Sequence, residues 1–417
     1  MRFICDFHIH SKFSRACSKE LELPKIAKAC ERKGINVVAT SDWTHPGWFK
    51  HIKETLVEKE PGLFVLKDGS SPTRFILTTE TSHVYKRGGQ ARRVHLVVFA
   101  PSIEAVEKVN KKLEARKFNL KADGRPILGF DCENYYSLLK EIDERIIIVP
   151  AHAWTPWFSV FGSKSGFDSL EECFGKLTPE IFAIETGLSS DPLMNWRLSA
   201  LDKVVLVSNS DAHSLDKLGR EANVFEIEKL SYDEIVRILR EQDKKRFLYT
   251  IEFFPEEGKY HFDGCADCGF SCRSKESKKY GGRCPKCKKL LTLGVENRVD
   301  ALADREAEVV AQKKIPYKSI VPLKEIIAEA YGVGSASKKI KTEYEDLINN
   351  LGNEFSILLD VSEQEIGKFA KQPLIAKAVT RMRSGKIDIK PGYDGVFGKI
   401  KIFSEAERKK SVQSRLL

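Results

Sequence analysis

The stretch that decides the fold is Met1–His10, which reads MRFICDFHIH. It contains alternating large apolar residues and ends with two histidines two positions apart, His8 and His10. Because residues i and i+2 of a strand point to the same side, one face of this predicted strand presents two imidazoles to one ion. A His-x-His pair alone is a weak signal, since strand histidines are more often satisfied by hydrogen bonds.

Six further apolar runs, mostly β-branched, each carry a possible metal ligand or acid. These residues are Asp42, Glu80, His95, His152, Glu185, and Asp211 with His213. Helical patterns, such as residues 102–117, lie between several of the runs. This alternation predicts an α/β fold with a mainly parallel, seven-stranded sheet under a helical layer. Ligands at strand C-termini are typical of (β/α) barrels, so we interpret the residues as a metal centre rather than scattered structural histidines.

The combined motifs His8-x-His10, Asp42, Glu80, His95, Pro-Ala-His152 and Asp211-Ala-His213 resemble the polymerase-and-histidinol-phosphatase (PHP) family over about residues 1–250. The resemblance implies a distorted seven-stranded (β/α) barrel with two or three divalent metals, such as Zn, Mn or Mg. The ligands that it implies are His8, His10, Glu80 and Asp211 for one metal, Glu80, His95 and His152 for a second, and His213 for a third, with Asp42 as a further candidate.

Two positions depart from the family pattern. The second motif usually reads Thr-Asp-His, whereas this chain has Ser41-Asp42-Trp43, and the loop after His10 carries Arg15 where an acid is common. His213 is therefore either a ligand of a third metal or a group that protonates the leaving oxygen or orients water. Arg15 is a candidate phosphate clamp. His45 either compensates for the missing histidine or is a loop residue.

The length of 417 residues allows two or three domains and a sizeable core. The sequence starts in a strand without a signal peptide, and no apolar run reaches the length of a membrane span. We therefore expect a cytoplasmic, nucleoid-associated protein with no membrane attachment. Five of the ten cysteines are scattered singly, mostly in apolar contexts, and are predicted to be reduced core residues.

The other cysteines lie close together in the sequence. Cys265-x-x-Cys268 and Cys284-x-x-Cys287 are separated by fifteen residues, which matches a zinc ribbon with one structural zinc held by four thiolates. Cys272 is a spare that does not fit a four-ligand site. Residues 256–294 contain nine Lys/Arg against five Asp/Glu, a net charge of +4. The ribbon therefore suits contact with a DNA backbone, with a bracing role between two domains as the alternative.

Two barrel loops are candidates for substrate contact, besides the loop after His10. The segment after His152 contains Trp154, Trp157 and Phe158, which predict a stacking pocket for a base, or else a lid on the barrel rim. Backbone N–H groups within 162–166 are the expected donors to that base. The second loop, 85–93, contains Arg92 and Arg93 beside a glycine turn, so it is either a phosphate contact or a solvated hairpin tip.

The sequence becomes helical from about residue 295. The segment 330–340 resembles a helix-hairpin-helix, in which Gly332 and Gly334 offer N–H groups to a phosphate; a glycine C-cap is the alternative. Residues 391–398 form a glycine-rich loop before a short strand, and the stretch from Ser404 onward is predicted to be a mobile tail. Residues 295–417 have 22 Lys/Arg against 18 Asp/Glu, another +4 of the total net charge of +10. This basic excess outside the barrel suits a polyanion.

We therefore predict a PHP barrel (1–255), a zinc ribbon (256–294) and a helical DNA-binding domain (295–417). This order resembles the endonuclease Q family across nearly the full chain. The resemblance implies a metal-dependent DNA repair endonuclease that nicks 5′ of deaminated bases (uracil, hypoxanthine, xanthine) and abasic sites, leaving 3′-hydroxyl and 5′-phosphate. His213, Arg15 and Glu185 are the catalytic candidates. We expect a monomer that can contact replication or repair proteins.

Two other functions remain open. A PHP-family phosphatase acting on small phosphate esters would use the same chemistry, but it would not need the basic ribbon and C-terminal region. A DNA-binding protein with a structural barrel would be expected to have lost its metal ligands, whereas most of the expected positions are intact here.

Overall fold

The computed structural model describes residues 1–404 and 406–407. Most of the predicted mobile tail after Ser404 lies outside the described residues. The described part of the chain is a mixed α/β fold, which confirms the predicted class.

The first 255 residues contain most of the strands. They are β1 (Arg2–Asp6), β2 (Val37–Ala39), β3 (Leu56–Glu60), β4 (Leu63–Leu66), β5 (Arg74–Ile76), β6 (Thr78–Arg87), β7 (Gln90–Phe99), β8 (Ile127–Leu128), β9 (Ile147–Pro150), β10 (Ala183–Glu185), β11 (Val205–Val207), β12 (Ala222–Glu226) and β13 (Phe247–Glu252). The helices of this region are α1 (Leu23–Lys33), α2 (Pro46–Thr55), α3 (Ile103–Ala115), α4 (Cys132–Ile142), α5 (Leu170–Phe174), α6 (Pro192–Trp196) and α7 (Tyr232–Arg240).

The remaining described elements are mainly helical. The strands are β14 (Asp263–Cys265), β15 (Phe270–Cys272), β16 (Tyr317–Ser319), β17 (Asp388–Lys390) and β18 (Lys399–Lys401). The helices are α8 (Ser274–Lys279), α9 (Val295–Leu302), α10 (Leu323–Tyr331), α11 (Lys338–Leu351), α12 (Glu354–Leu359), α13 (Glu363–Phe369) and α14 (Leu374–Arg383). Single turns of 3₁₀ helix connect several of these elements.

The seven predicted runs all form strands, but hydrogen bonding divides them among three sheets. One sheet has the order β16-β13-β12-β1-β2-β5-β4-β3, a second has the order β8-β6-β7-β9, and β10 pairs with β11. The β1–β2, β2–β5 and β10–β11 pairs are parallel, whereas β1–β12, β6–β7 and β7–β9 are antiparallel. The prediction of one mainly parallel sheet is therefore wrong, and the seven-strand count of the barrel is not confirmed.

The turn between β6 and β7 explains part of this difference. It consists of Gly88 and Gly89, with φ of 61° and 75°. A two-residue turn with positive φ at both positions joins antiparallel neighbours, whereas parallel strands need a long crossover. The Gly88-Gly89 turn is thus a hairpin tip, which is the alternative given above for the 85–93 loop.

Strands from different sheets share one hydrophobic cluster beneath the strand ends. Phe7, Val97, Val149 and Val207 are all buried in it. The ring of Phe7 meets that of Phe99 edge to face, with centroids 5.5 Å apart. This shared core fixes the positions of β1, β7, β9 and β11 relative to one another. Five of the predicted metal ligands follow or lie within these strands; they are His8, His10, His95, His152 and Asp211.

The C-terminal region is joined to the first sheet by backbone hydrogen bonds. Strand β16 pairs in parallel with β13, so the sheet crosses the predicted boundary near residue 255. On the other side, Lys33 of α1 forms an ion pair of 3.1 Å with Glu354 of α12. Glu354 also accepts hydrogen bonds from the Leu323 N–H and the Tyr344 hydroxyl. Among the described helices, none has the length and apolar character needed to cross a membrane.

Candidate metal centre

The segments after β1 and β11 are held side by side. The Asp211 N–H donates to the His8 carbonyl at 2.8 Å, and the His10 N–H donates to the Ala212 carbonyl at 3.0 Å. These bonds place both histidines of the opening motif next to Asp211. The pairing explains why two sequence motifs about 200 residues apart act as one unit.

Several non-glycine residues around this point have a left-handed backbone. The φ angles are 57° at Ser41, 44° at Asp42, 29° at His152 and 46° at Asp211. Such a conformation costs a non-glycine residue about 1–3 kcal/mol, so it persists only where the surrounding structure enforces it. Its concentration at these strand ends supports a functional site here.

The predicted ligands form two groups that share one carboxylate. The first group consists of His8, His10, Glu80 and Asp211, and the second of Glu80, His95 and His152. Within each group, the ligand atoms lie within 4.8 Å of one another. The Oε1 atom of Glu80 faces the second group, 2.7 Å from His95 Nδ1 and 3.1 Å from His152 Nε2. The Oε2 atom faces the first, 3.4 Å from His10 Nε2 and 3.6 Å from His8 Nε2.

The donor chemistry fits divalent metals. The buried Nε2 of His8 has no hydrogen-bond partner, although it points towards two carboxylates, those of Glu80 and Asp211. Imidazole and carboxylate together are typical ligands of zinc and manganese. The sequence prediction of a metal-binding cluster thus agrees with the observed geometry, although Glu80 and His95 lie within β6 and β7 rather than at strand ends.

Two predicted site residues lie behind the ligand groups. Glu185, a catalytic candidate, accepts a hydrogen bond from His8 Nδ1 at 2.9 Å and is fully buried. Asp42, a candidate ligand, lies 3.5 Å from His10 Nδ1, and its other oxygen accepts bonds from the Ser11 N–H and Ser14 hydroxyl. Glu185 therefore orients His8 through a hydrogen bond, whereas Asp42 is a neighbouring negative charge beside His10, and neither belongs to a ligand group.

The pKa values of the histidines depend on the balance between burial and the neighbouring carboxylates. Burial lowers the pKa of His8, but Glu185 and Glu80 outweigh it, so the pKa lies well above its usual value. Burial likewise opposes protonation of His10, yet hydrogen bonds to its carboxylate neighbours raise the pKa to about 9. At His95 burial prevails over Glu80 and lowers the pKa to about 4. A divalent ion entering the first group must therefore displace protons.

A charged residue of the centre that sequence reasoning missed is Arg125. Its Nη1 donates to Glu80 Oε2 at 2.9 Å, which raises the pKa of the guanidinium. The predicted clamp Arg15, by contrast, has a side chain 87% exposed and lies 4.0 Å from Asp123. Arg125 follows no apolar run, so the strand-end pattern contained no signal for it.

For two other histidines, His213 and His45, the sequence left two possible roles each. His213 lies outside both ligand groups, with its ring centroid 4.5 Å from that of His10 and its Nδ1 donating to the Asp211 carbonyl at 2.8 Å. Its side chain is 36% exposed, so it borders the open side of the centre. His45 caps α2, where its Nδ1 accepts bonds from the N–H groups of Gly47 and Trp48. His45 is therefore a loop residue that caps a helix, and it does not compensate for the histidine that is missing from the second motif.

The aromatic residues after His152 separate into buried and exposed members. Trp154 is 1% exposed and its indole N–H donates to Asn195 at 2.8 Å, so the prediction that it stacks on a base is wrong for this structure. Phe158 covers His95, with ring centroids 4.7 Å apart. Trp157 is 39% exposed. The segment therefore packs largely as a lid on the rim, with Trp157 accessible.

Most backbone N–H groups that were predicted to donate to a base instead form hydrogen bonds within the segment after His152. The N–H groups of Gly162, Lys164 and Gly166 donate to the carbonyls of residues 159, 156 and 162. The prediction of 162–166 as donors to a base is thus contradicted at these three positions. In the facing hairpin, Arg92 donates to the Gly166 carbonyl and stacks on Phe167, so it fixes the lid. Arg93 remains exposed beside Phe158.

The four-cysteine cluster assembles as the sequence predicts. The Sγ atoms of Cys265, Cys268, Cys284 and Cys287 all lie within 4.8 Å of one another. Backbone hydrogen bonding, chiefly from the Cys287 N–H, lowers the pKa of Cys284 to about 7, which favours the thiolate. Cys272 is buried outside the group. Four converging thiolates are the ligand set of a structural zinc.

The glycines at 332 and 334 lie between α10 and α11. Gly332, with φ of 67°, ends α10, and its N–H donates to carbonyls of the last helical turn. Gly332 is therefore a helix C-cap, the alternative to a phosphate site. Its N–H group already donates within the protein, so it is not available to a phosphate. The Gly334 carbonyl accepts from the Ser337 N–H at 3.2 Å, and Ser337 caps α11.

Similar sequences are found in archaea and bacteria. A family model described as the MJ0043 C-terminal domain matches residues 322–386. The uncharacterized protein MJ0043 of Methanocaldococcus jannaschii is 32% identical over 286 residues, covering 66% of this chain and 35% of that protein. The chain thus spans about a third of the length of this relative. The uncharacterized protein YqxK of Bacillus subtilis is 29% identical over 419 residues, covering 96% of this chain and 99% of that protein.

The fold and the two ligand groups define a metal-dependent hydrolase. The lesion-specific endonuclease PfuEndoQ from Pyrococcus furiosus has a TM-score of 0.85 and 32% identity, covering 97% of this chain and 96% of that chain. An endonuclease Q in complex with a 27-mer duplex substrate, with an abasic lesion at the active site, has a TM-score of 0.84 and 32% identity, covering 97% and 98%. The chain belongs to the endonuclease Q family.

Proposed function

We propose that this protein is a DNA repair endonuclease that nicks 5′ of deaminated bases and abasic sites, leaving 3′-hydroxyl and 5′-phosphate. The deaminated bases are uracil, hypoxanthine and xanthine. The observation that carries the proposal is a pair of buried ligand groups sharing Glu80 in a chain of this family. The similarity to an endonuclease Q bound to lesion-containing duplex extends over 97% of the chain, which supports DNA as the substrate.

The chain's own residues prepare the centre for phosphodiester hydrolysis. Divalent ions, when bound, supply Lewis-acid activation of water and neutralise charge at the scissile phosphate. His8, His10 and Asp211 would hold one ion and His95 with His152 the other, and Glu80 would belong to both ligand sets. We propose two such ions of Zn, Mn or Mg, and one structural zinc in the ribbon. A third ion would need a further acid near His213.

His213 and Arg125 have positions suited to the reaction itself. The Nδ1–H of His213 is committed to the Asp211 carbonyl, so Nε2 of the neutral ring is left as an acceptor on the open side. This arrangement favours orientation of the attacking water over protonation of the leaving oxygen. Arg125 lies next to Glu80 with its side chain 26% exposed, where it can contact a non-bridging phosphate oxygen.

The regions outside the barrel are proposed to hold the DNA. Residues 256–294 and 295–417 each carry a net charge of +4. Within the barrel, exposed Arg93 is a further candidate for contact with the DNA backbone. We keep the division into a catalytic region (1–255), a ribbon (256–294) and a helical DNA-binding region (295–417) as part of the proposal. The protein would act as a monomer on the nucleoid.

The decisive experiment uses labelled duplexes that carry uracil, hypoxanthine, an abasic site or no lesion, each incubated with Zn²⁺, Mn²⁺ or Mg²⁺. We expect one cut on the 5′ side of each lesion and an intact control duplex. Cutting of all duplexes alike would contradict lesion specificity. Phosphate release from small esters without any cutting of DNA would favour the phosphatase alternative.

A further inference from the structure

An exposed apolar tip lies in the glycine-rich loop between β17 and β18. Phe397 is 64% exposed and Val396 is 40% exposed, so neither side chain contributes its full area to the core. Contiguous exposed apolar surface rimmed by polar residues marks contact sites on folded proteins. The tip was not assigned any role by the sequence motifs.

The loop that carries the tip is rigidly attached to the chain segment leaving the barrel. The N–H groups of Gly392 and Gly398 donate to the carbonyls of Glu256 and Glu257 at 2.8 and 3.1 Å. A Cβ atom at Gly398 would collide with the Glu256 carbonyl oxygen, so the two backbones are in close contact. The backbone that carries Phe397 is therefore fixed to the barrel exit on both sides of this residue.

The same loop is also fixed to the ribbon. Asp394 accepts a hydrogen bond of 2.6 Å from the N–H of Ala266, the residue after the first cysteine of the cluster. The ring of Tyr393 packs on Gly264, where a side chain would clash with it. The tip thus stands where the barrel exit and the zinc ribbon meet.

A series of contacts connects the tip with the metal centre. The Lys259 Nζ lies 4.5 Å from the ring centroid of Phe397, and the adjacent Tyr260 meets Trp157 edge to face at 5.8 Å. Trp157 precedes Phe158, which covers the ligand His95. We call Trp157, Tyr260 and Phe397 the aromatic rim.

Exposed lysines outnumber exposed carboxylates in and beside the hairpin that carries the tip. Exposed lysines lie on both flanking strands and beside them; they are Lys259, Lys386, Lys390, Lys399 and Lys401. The nearby carboxylate of Asp394 is already bound to the ribbon. The hairpin also has one exposed acid, Asp388, which pairs with Lys401. An exposed aromatic ring beside Lys259, on a hairpin with an excess of lysines, fits nucleic acid, whose base faces are apolar and whose backbone is anionic.

We propose that Phe397 stacks on the base pair beside the lesion and fills the space vacated when the damaged nucleotide leaves the helix. This inference rests on the proposed function. Extrusion of a nucleotide exposes the faces of its neighbours, and an inserted aromatic or apolar side chain restores the lost stacking. A wedge needs a rigid support, which the bonds to the barrel exit and to the ribbon provide.

The test compares Phe397→Ala and Phe397→Tyr on two substrates. One is a uracil duplex, and the other places the same uracil in a three-nucleotide bubble, where stacking is already lost. We expect Phe397→Ala to cut the duplex about tenfold more slowly, from the loss of one stacking contact, and the bubble nearly as fast as the wild type. Phe397→Tyr retains the aromatic face and should restore duplex cutting.

A matched control is Val309→Ala, which removes an equally exposed side chain, 70% accessible, away from the rim. It should leave both rates unchanged. Equal rates for Phe397→Ala and wild type on the duplex, or equal losses on duplex and bubble, overturn the wedge. If the wild type cuts no lesion-containing duplex, the proposed function itself fails, which is a separate outcome.

Discussion

Arg125 Nη1 lies 2.9 Å from Oε2 of Glu80, the carboxylate that both ligand groups share. Burial alone would raise the pKa of Glu80, but His95 and Arg125 outweigh it and hold the pKa well below its usual range. The shared ligand is therefore kept ionised and fixed in orientation before any ion binds. The same guanidinium remains partly exposed towards the open side of the centre.

The first prediction separates Arg125 from the exposed Arg15. Arg125→Ala should slow DNA cutting by about 10²-fold, because it removes a positioned charge at the reacting phosphate. Arg125→Lys should recover part of the rate. Arg15→Ala is the matched control and should change the single-turnover rate by less than about twofold, as expected for an exposed surface charge. A larger loss for Arg15→Ala than for Arg125→Ala would restore the assignment made from the sequence.

The strand-end ligands could be predicted from the sequence because their signal is local. His8, Glu80 and His152 each follow or interrupt an apolar run. The antiparallel register of β6 and β7, which pairs Ser82 with His95, brings His95 close to Glu80. The hairpin direction of β6 and β7 was also encoded, in the Gly88-Gly89 turn, but the strand pattern on both sides favoured a parallel reading.

The remaining features depend on distant parts of the chain. Arg125 reaches Glu80 from a loop without periodic structure, so no spacing identifies it. Trp154 and Trp157 are indistinguishable in the sequence, yet Asn195 binds one of them within the core. The surroundings of Asp42 also depend on another segment, because the hydroxyls of Ser11 and Ser14 in the loop after His10 donate to its carboxylate.

The second prediction concerns the shared carboxylate. Glu80→Gln keeps the shape but removes the charge that bridges the two groups, so cutting should fall at least about 100-fold. His8→Ala and Asp211→Ala should have similar effects, while circular dichroism and lesion-duplex affinity stay close to wild type. Metal content measured by mass spectrometry should fall in all three. Full activity of Glu80→Gln with normal metal content would refute the bridging role.

The third prediction concerns the four-cysteine cluster. Cys265→Ser or Cys284→Ser should release one zinc and expose residues beyond 255 to protease, because metal binding and local folding are coupled. Cys272→Ser is the control, since Cys272 is buried nearby but outside the group. It should retain the zinc. Loss of zinc from Cys272→Ser, or disulfides among the four cysteines in the native protein, would contradict the ribbon.

The fourth prediction is a pH dependence of the metal-free protein. The pKa of His10 is raised from 6.5 to about 9 by hydrogen bonds to carboxylates that outweigh burial. A group with a raised folded pKa stabilises the fold fully below its unfolded pKa, and this contribution is lost as pH rises through the folded value. The Tm of chelator-treated protein should therefore fall between about pH 6.5 and 9.

Metal has the opposite dependence, because an ion must displace the protons of His8 and His10. The increase in Tm on adding Mn²⁺ should grow with pH over the same range. Thermal melts with and without metal at matched pH measure both effects. A metal-free Tm that does not change across this window would show that the carboxylates do not hold a proton on His10.

Discrimination of a damaged base requires a surface that contacts the base itself. Deamination replaces an amino group by a carbonyl on cytosine and adenine, so a pocket of hydrogen-bond donors accepts both products and leaves a normal base with unpaired donors. Each unsatisfied group costs about 1–3 kcal/mol. Among the aromatic residues after His152, Trp157 is the exposed one that can stack on such a base, since Trp154 lies in the core.

The last prediction is that Trp157→Ala slows cutting at uracil and hypoxanthine more than at an abasic site, which has no base to stack. Loss of one stacking contact, about 1–3 kcal/mol, corresponds to a roughly 5- to 150-fold difference between the two kinds of lesion. Trp154→Ala serves as the control, because a cavity in the core should lower Tm and slow all three reactions alike. Equal losses at all lesions for Trp157→Ala would leave this residue a structural role in the rim and place base recognition elsewhere.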